Sequence, residues 1–560
     1  MDNVRLFLWM AFLAMAWFVY SAWVTDHPSE PAAPPPAAQS QSSASASAPP
    51  GTPSQGLPSL AGVTAAAPHA EETPAPPPVA PADLVHVKTD VLDVMIDLHG
   101  GDLVRADLPE YPVEKHEPDK LVRLLDFAPD DRWVFQTGLR SADDGAEPDH
   151  LANYRSASRE YVLAPGQDEL TVTLDWTGSG PIDAHKTYTF RRGRYEVDLA
   201  LTATAHDDAT WQGAPYAQML RFYVPVKRSY RSVDTYSFRG PVLYDGDQYT
   251  KLKFDDIAKM PVTQSLKGGW FAAIQHHFLA AAVPPAGDDV HYQASARGQD
   301  FVLSAVGSVR EVTATAPLEY TYKLFVGPKL QDQLRATVSS LVLTVDYGKI
   351  LGPLARPLFW LLSHVEAVVG NWGWAIILVT LLIKLAFYKL TEMSGRSAAK
   401  MRRLAPRMKA LQERYKDDRQ ALNQHMMELY KREKVNPAAG CLPIVIQMPF
   451  FFAFYWVLIE SVEMRQAPFM LWIDDLSAHD PYYVLPLVNA VVIFLQQRMN
   501  PAPPDPIQAK VMQILPLVFA GISAFFPAGL VLYWITNTGL SILQQWRINK
   551  VVAREAAAAA

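Results

Sequence analysis

The sequence contains a single cysteine, Cys441. One thiol excludes an intramolecular disulfide, a paired-cysteine redox motif and a multi-cysteine zinc site. No cysteine lies near the N-terminus, which excludes a lipoprotein anchor. Charge is sparse: Asp, Glu, Lys and Arg make up 19% of residues, against about 25% in soluble chains. The net charge of −7 argues against a general nucleic-acid binder, and no nucleic-acid sequence recognition is expected. Catalytic motifs are nearly missing. There is no GxxxxGK(S/T) run, hence no sign of a nucleotide engine. Ser397-Ala398-Ala399-Lys400 has SxxK spacing but lacks the companion motifs of a serine nucleophile. Gln275-His276-His277-Phe278 offers two histidines, but neighbours in a strand point to opposite faces and make poor co-ligands. The expectation is no catalytic residue, no metal, no cofactor and no enzyme.

What the chain has instead is hydrophobicity in blocks. Its 560 residues suggest three to four domains at about 150 residues each. Residues 6–24 are an uncharged run of 19, enough to cross a bilayer at a helix rise of about 1.5 Å per residue. Tyr20 stands at the −3 position before Ala22, where a cleavage site needs a small residue. Residues 1–27 therefore read as an uncleaved transmembrane anchor with a cytoplasmic N-terminus. Residues 28–82 read as a disordered linker: 15 Pro and 15 Ala fill 30 of its 55 positions, with eight Ser and three charges. Such a segment cannot bury enough apolar surface to offset its ordering entropy.

Residues 83–346 read as a β-sandwich. Apolar residues alternate at Leu170, Val172, Leu174 and Trp176, at Tyr188 and Phe190, at Tyr195, Val197, Leu199 and Leu201, and at Leu318, Tyr320, Tyr322 and Leu324. Arg192-Gly193 supplies a turn. Many short alternating runs with turn signals indicate packed sheets.

Residues 347–550 change character, and 551–560 read as a tail. Residues 347–364 are apolar and interrupted by Pro353 and Pro357, as in a segment lying along a membrane surface. Five candidate spans follow at 371–390, 440–462, 481–499, 507–525 and 530–546, with Phe526-Pro527-Ala528-Gly529 as a tight turn. Loop charge orients them. Residues 396–434 carry 12 Lys and Arg against five acids, a net +7 that leaves −14 on the rest of the chain. That loop belongs in the cytoplasm. Asp474, Asp475 and Asp480, with no nearby Lys or Arg, belong outside. Both termini then lie in the cytoplasm and the β domain outside it. Within 394–434, Met401, Leu404, Met408, Leu411 and Tyr415 form a heptad-like stripe, and Leu422, Met426 and Leu429 a second. This predicts an antiparallel helical hairpin, either self-packed and solvated or serving as a docking surface.

The spans hold polar residues, Lys384 above all. A lysine in a span costs about 2.5–3.5 kcal/mol on insertion scales, so it usually faces a bundle interior or water. A stem about 9 Å from the span end also permits snorkelling; both readings stand. Residues 484–495 and 514–526 give apolar stretches of only 12 and 13 residues. These cover about 18–20 Å of a hydrocarbon core about 30 Å thick, so local bilayer thinning is expected.

Several runs resemble the YidC membrane protein insertases (the YidC/Oxa/Alb family), in the Gram-negative type with a large periplasmic domain. They are Gly370-Asn371-Trp372-Gly373, Asn436-Pro437 with Gly440-Cys441 and Pro443, Gln447-Met448-Pro449, Ser461 to Phe469, Asp480-Pro481-Tyr482, Phe526 to Leu530 and Gln544-Gln545. Looser likeness runs through Gly268-Gly269-Trp270 and Val326-Gly327-Pro328-Lys329. The resemblance implies an α+β multidomain membrane protein: an N-terminal transmembrane anchor, a periplasmic β-supersandwich similar to sugar-binding folds, and a five-helix transmembrane core with a cytoplasmic helical hairpin. It implies a hydrophilic groove, open to cytoplasm and lipid and closed to the periplasm. Lys384 stands at the family's arginine, which keeps the charge and loses bidentate pairing. Lys389 stands at the proline of a Tyr-Pro-Leu run. Thr380, Gln447, Tyr533 and Trp534 are the other expected groove residues; Phe451, Phe454 and Ile522 are the expected slide for the incoming span. The implied location is the inner membrane, and the implied partners are nascent inner-membrane proteins, the Sec translocon, the ribosome and membrane lipids. A transporter or channel would predict internal repeats, and none is clear. A carbohydrate-binding periplasmic protein on an anchor would leave six spans and the basic hairpin unexplained.

Overall fold

The computed structural model describes residues 58, 83–142, 147–225, 237–348, 350–415, 418–433, 442–499, 514 and 517–558. The expected anchor (1–27), the linker (28–82) apart from Pro58, and the Asn436-Pro437 and Gly440-Cys441 motif positions lie outside the described residues.

The described residues of 84–328 build three sheets of five, nine and six strands. The nine-stranded sheet holds the strands whose alternation is plain in sequence. In Glu169–Trp176, Leu170, Val172 and Leu174 are buried, while Glu169, Thr171, Thr173 and Asp175 are exposed. Leu199 pairs with Tyr188 on one side and Tyr322 on the other, so the three runs stack one inward face. Gly193 takes φ +66° in the expected turn, a conformation that favours glycine. Lys186 occupies an inward position, 2% exposed. It donates to the carbonyls of Gly100 and Thr137 and lies 3.6 Å from Asp102. Burial pulls its ammonium down to about 8, against the pull of Asp102.

The histidine pair departs from expectation. His276 has φ +48° in the turn between Trp270–Gln275 and Phe278–Val283. Strand alternation does not apply in a turn, so both rings face the same way and stack with centroids 3.7 Å apart.

A short helix, α1 (Phe254–Lys259), lies within the β domain and α2 (Gln331–Thr337) closes it. The helical region comprises α3 (Gly352–Val369), α4 (Trp372–Ala386), α5 (Tyr388–Arg414), α6 (Arg419–Arg432), α7 (Leu442–Glu460), α8 (Val484–Met499) and α9 (Ala528–Ala558). Residues 517–523 are helical as well. Helix α3 is not interrupted at its prolines: Pro353 sits in the first turn, where no N–H is needed. It ends at Gly370, whose φ of +69° lets its N–H close onto Glu366. Asn371 then caps α4 by accepting from the Trp374 N–H. A Cβ on Gly373 would fall 2.1 Å from the Phe469 ring. The Gly-Asn-Trp-Gly run thus encodes a helix stop, a helix start and a close approach.

Among the described residues no single helix is long and apolar enough to cross a membrane; α4 and α5 together pass that test but are bent by 66°. The expected continuous span 371–390 breaks at Phe387. Helix α7 has 19 residues, but the side chains of its first turn are outside the described set. The stretch 551–560, expected as a separate tail, continues α9 to Ala558. Ile548 and Val552 bury there against Ala399 of α5. Helices α5 and α6 pack through Leu404, Met408 and Met426, flanked by Met401, Leu422 and Leu429, along the two stripes.

The β domain rests on the end of α7. His276 and His277 Nε2 lie 3.0 and 2.7 Å from the Ile459 carbonyl. Ser237 donates to Glu460, with Lys329 4.0 Å from the same carboxylate. Tyr347 bonds Ser461, and the Gln331 N–H donates to Glu463. Arg465 and Lys115 cross the junction to backbone carbonyls.

Candidate functional site

Lys384 sits in the last turn of α4, one helical turn beyond Thr380 on the same face and beside Ile383 and Phe387. These line a pocket of about 50 Å³ with Leu390 and Thr391 of α5, Gln447 and Phe450 of α7, and Tyr533 and Asn537 of α9. The volume admits a few waters. Four of the five expected groove residues, Lys384, Thr380, Gln447 and Tyr533, therefore share one cavity.

Thr380 and Lys384 each have a hydrogen-bond partner on the helices. The Thr380 hydroxyl donates to the Ile376 carbonyl at 2.6 Å. The half-buried Lys384 ammonium donates to Ser541 Oγ at 2.7 Å, and that hydroxyl donates to the Asn537 carbonyl at 2.7 Å. Among the described residues Lys384 forms no ion pair. A cation with a single neutral partner keeps donors free for an incoming anion. Ser541 and Asn537 complete the site and Ser541 has no obvious sequence signal, although Tyr533, Asn537 and Ser541 recur at every fourth position and so share a helix face.

Trp534 does not line this pocket. One residue along α9 turns it to another face, where it stacks on Phe451 at 5.0 Å, meets Phe519 edgewise and Phe526 at a tilt. Phe454 is fully buried and stacks on Tyr533 at 4.4 Å; it backs the groove and is not on an outer face. Phe451 is half-buried beside it. Ile522 is exposed, together with Leu517, Val518 and Phe525, and so are Leu487, Val491, Phe494 and Leu495 of α8. The three slide residues thus fall into two places, a buried aromatic stack and an outer apolar face.

A helical region with large apolar side chains on its outside and an unpaired lysine held within, joined to a β domain at one end, has the make-up of a membrane-embedded protein with an extramembrane domain. Residues 364–555 match the family described as 60Kd inner membrane protein, and residues 84–361 match the YidC periplasmic domain. The chain is 45% identical over 570 residues to the membrane protein insertase YidC of Thioalkalivibrio sulfidiphilus (strain HL-EbGR7), covering 99% of each. It is 42% identical over 559 residues to that of Nitrosococcus oceani, covering 99% of this chain and 100% of the relative. A solved active YidC insertase with its first transmembrane domain resolved is 19% identical, covers 82% of this chain and 92% of that one, and gives a TM-score of 0.38. The chain belongs to the YidC family of membrane protein insertases. Its place is the inner membrane, with a periplasmic β domain.

Proposed function

We propose that the chain moves the short polar tail of a nascent inner-membrane protein into the Lys384 pocket and releases the following apolar span to lipid past α8 and residues 517–525. The single observation that carries this is a lysine inside a helical core whose one partner among the described residues is a neutral hydroxyl. A charge at the bilayer centre costs several kcal/mol in isolation, on the order of 3 on insertion scales. A wet, cationic pocket in the inner half of the membrane and a locally thinned bilayer reduce that cost. Energy comes from burying the substrate's apolar span and, for acidic tails, from the membrane potential, about 2.3 kcal/mol per charge per 100 mV. No covalent step or cofactor enters. Thr380, Gln447 and Tyr533 shape the pocket; Phe451 and Phe454 brace it; Trp534 and Ile522 border the exit.

In this reading the chain has an anchor at 1–27, a tether at 28–82, the periplasmic domain at 83–346 and a core of five spans at 347–550, with both termini in the cytoplasm. The hairpin at 394–434 receives chains from the ribosome, and the Sec translocon and lipids are further partners. Cysteines placed at Ser29 and Ser477, with Cys441 replaced, label from the periplasm, whereas one at Ser397 does not. Labelling of position 397 from outside reverses the charge argument. The test of function is reconstitution in liposomes without ATP: a small substrate with a short acidic tail inserts, and failure of insertion there refutes the proposal.

A further inference from the structure

The β domain holds a second polar cavity that insertion does not use. It is a cleft of about 350 Å³ walled by Trp133, Arg221, Tyr223, Arg239 and Gln275, with Asp131 on its rim. Strand register brings these together: Arg221 pairs with Trp133 and Arg239 with Gln275. The Arg221 guanidinium carbon lies over the Trp133 ring, 3.6 Å from its centroid, and the group donates to the Ile274 carbonyl and to Gln275 Oε1. Arg239 Nε is buried with no hydrogen-bond partner. Among the described residues neither arginine forms an ion pair. The other arginine of the cleft, Arg123, is paired with Asp107 and Asp126. Burial, with Arg239 close by, pulls the Arg221 guanidinium down to about 9.

Two neighbouring guanidiniums with no ion pair among the described residues are an uncompensated arrangement, with Asp131 on the open rim. Buried charges are ordinarily paired, and a guanidinium fork matches carboxylate or phosphate oxygens. The cleft also has a location. Gln275 is followed directly by His276 and His277, the pair seated on the Ile459 carbonyl at the end of α7. The arginines therefore lie beside the face of the domain that meets the membrane-embedded region. The space is larger than a lone carboxylate needs, and its aromatic wall suits the glycerol carbons of a headgroup.

We propose that this cleft binds a phosphate ester through Arg221 and Arg239, with Tyr223 against its carbon skeleton. Two sources share that chemistry, the headgroup of an anionic phospholipid and a soluble phosphorylated compound. The geometry at the junction favours the headgroup.

The test is isothermal titration of the full-length protein in dodecyl maltoside with short-chain dihexanoyl phosphatidylglycerol, glycerol 3-phosphate and, as the zwitterionic control, dihexanoyl phosphatidylcholine. Phosphatidylglycerol is expected to bind at least tenfold more tightly than phosphatidylcholine. Arg239→Gln weakens it tenfold or more, and Asp131→Asn, on the exposed rim, tightens it. That gain separates an anion site from damage to the fold, and unchanged thermal unfolding checks the arginine variant. Equal binding of glycerol 3-phosphate and phosphatidylglycerol supports the site and assigns it to soluble esters. No binding of either phosphate, binding unaltered by both substitutions, or binding of a hexaglutamate peptide but of neither phosphate overturns the proposal.

Discussion

Replacing Lys384 separates an electrostatic pocket from a lysine that only reaches for the membrane surface. The pocket is half-buried and small, so its effective dielectric lies between that of a protein surface and bulk water. An acid drawn to about 5 Å from the ammonium gains roughly 3 kcal/mol at an effective dielectric of about 20, and under about 1 kcal/mol at about 80. Those limits correspond to about 200-fold and about 4-fold in capture of a tail carrying one acid. Lys384→Arg keeps the attraction and retains insertion. Lys384→Ala loses insertion between those limits for one acid and more for three, with little change for a tail without acids. Lys384→Glu repels acidic tails and blocks them. Ser541→Ala removes the partner at 2.7 Å but not the charge, so its effect is milder than that of Lys384→Ala. The assay is insertion of matched substrates with zero, one and three tail acids into vesicles carrying each variant. Equal efficiencies across substrates in the Ala and Glu variants refute the electrostatic role.

Three further outcomes follow from the packing. Burial pushes the Glu463 carboxyl up to about 7, with backbone hydrogen bonds opposing it. A raised carboxyl favours the protonated, docked state, so junction stability is full below the ordinary value of 4.5 and falls as pH rises to about 7, by on the order of 3 kcal/mol. Thermal unfolding of the whole protein at pH 5.5 and 8 measures this, and Glu463→Gln flattens the difference. Gly373→Ala forces a Cβ into Phe469 and destabilises by about 1–3 kcal/mol. Gly539→Ala meets nothing within 4 Å and is neutral or stabilising by up to about 1 kcal/mol; paired melting curves compare them. Deleting residues 401–429 impairs insertion while the β domain keeps its protection from protease; normal insertion without the hairpin makes it a solvated loop.

The strands were legible because one face of each is buried, and a period of two shows that directly. Leu170, Val172 and Leu174 face inward together. The same rule misread His276 and His277, since one positive φ puts two neighbours on one side. The hairpin stripes were legible for the same local reason as the strands. The bend at Phe387 was not: it occurs without a proline, and Lys389, in the first turn of α5, stands where a proline would also fit. Lys384, Thr380, Gln447 and Tyr533 could be gathered from the family likeness, but Ser541 could not, because a serine in a helix is unremarkable until a lysine is found against it. Trp534 comes into the expected groove with Tyr533 from the family likeness, but neighbours on a helix are turned about 100° from each other. The docking of Ile459, Glu460 and Glu463 on the β domain depends on contacts more than 100 residues apart, which no periodicity encodes.

The most direct measurement places a photo-activated crosslinking residue at Asn537, on the wall of the Lys384 pocket, and exposes membranes to ribosome-arrested nascent chains of a substrate with an acidic tail. The account predicts a crosslink from position 537 to the tail, reduced in the Lys384→Glu background and missing from a matched position on the exposed face of the β domain, such as Thr171. Insertion of the same substrate with no crosslink at Asn537 would contradict it.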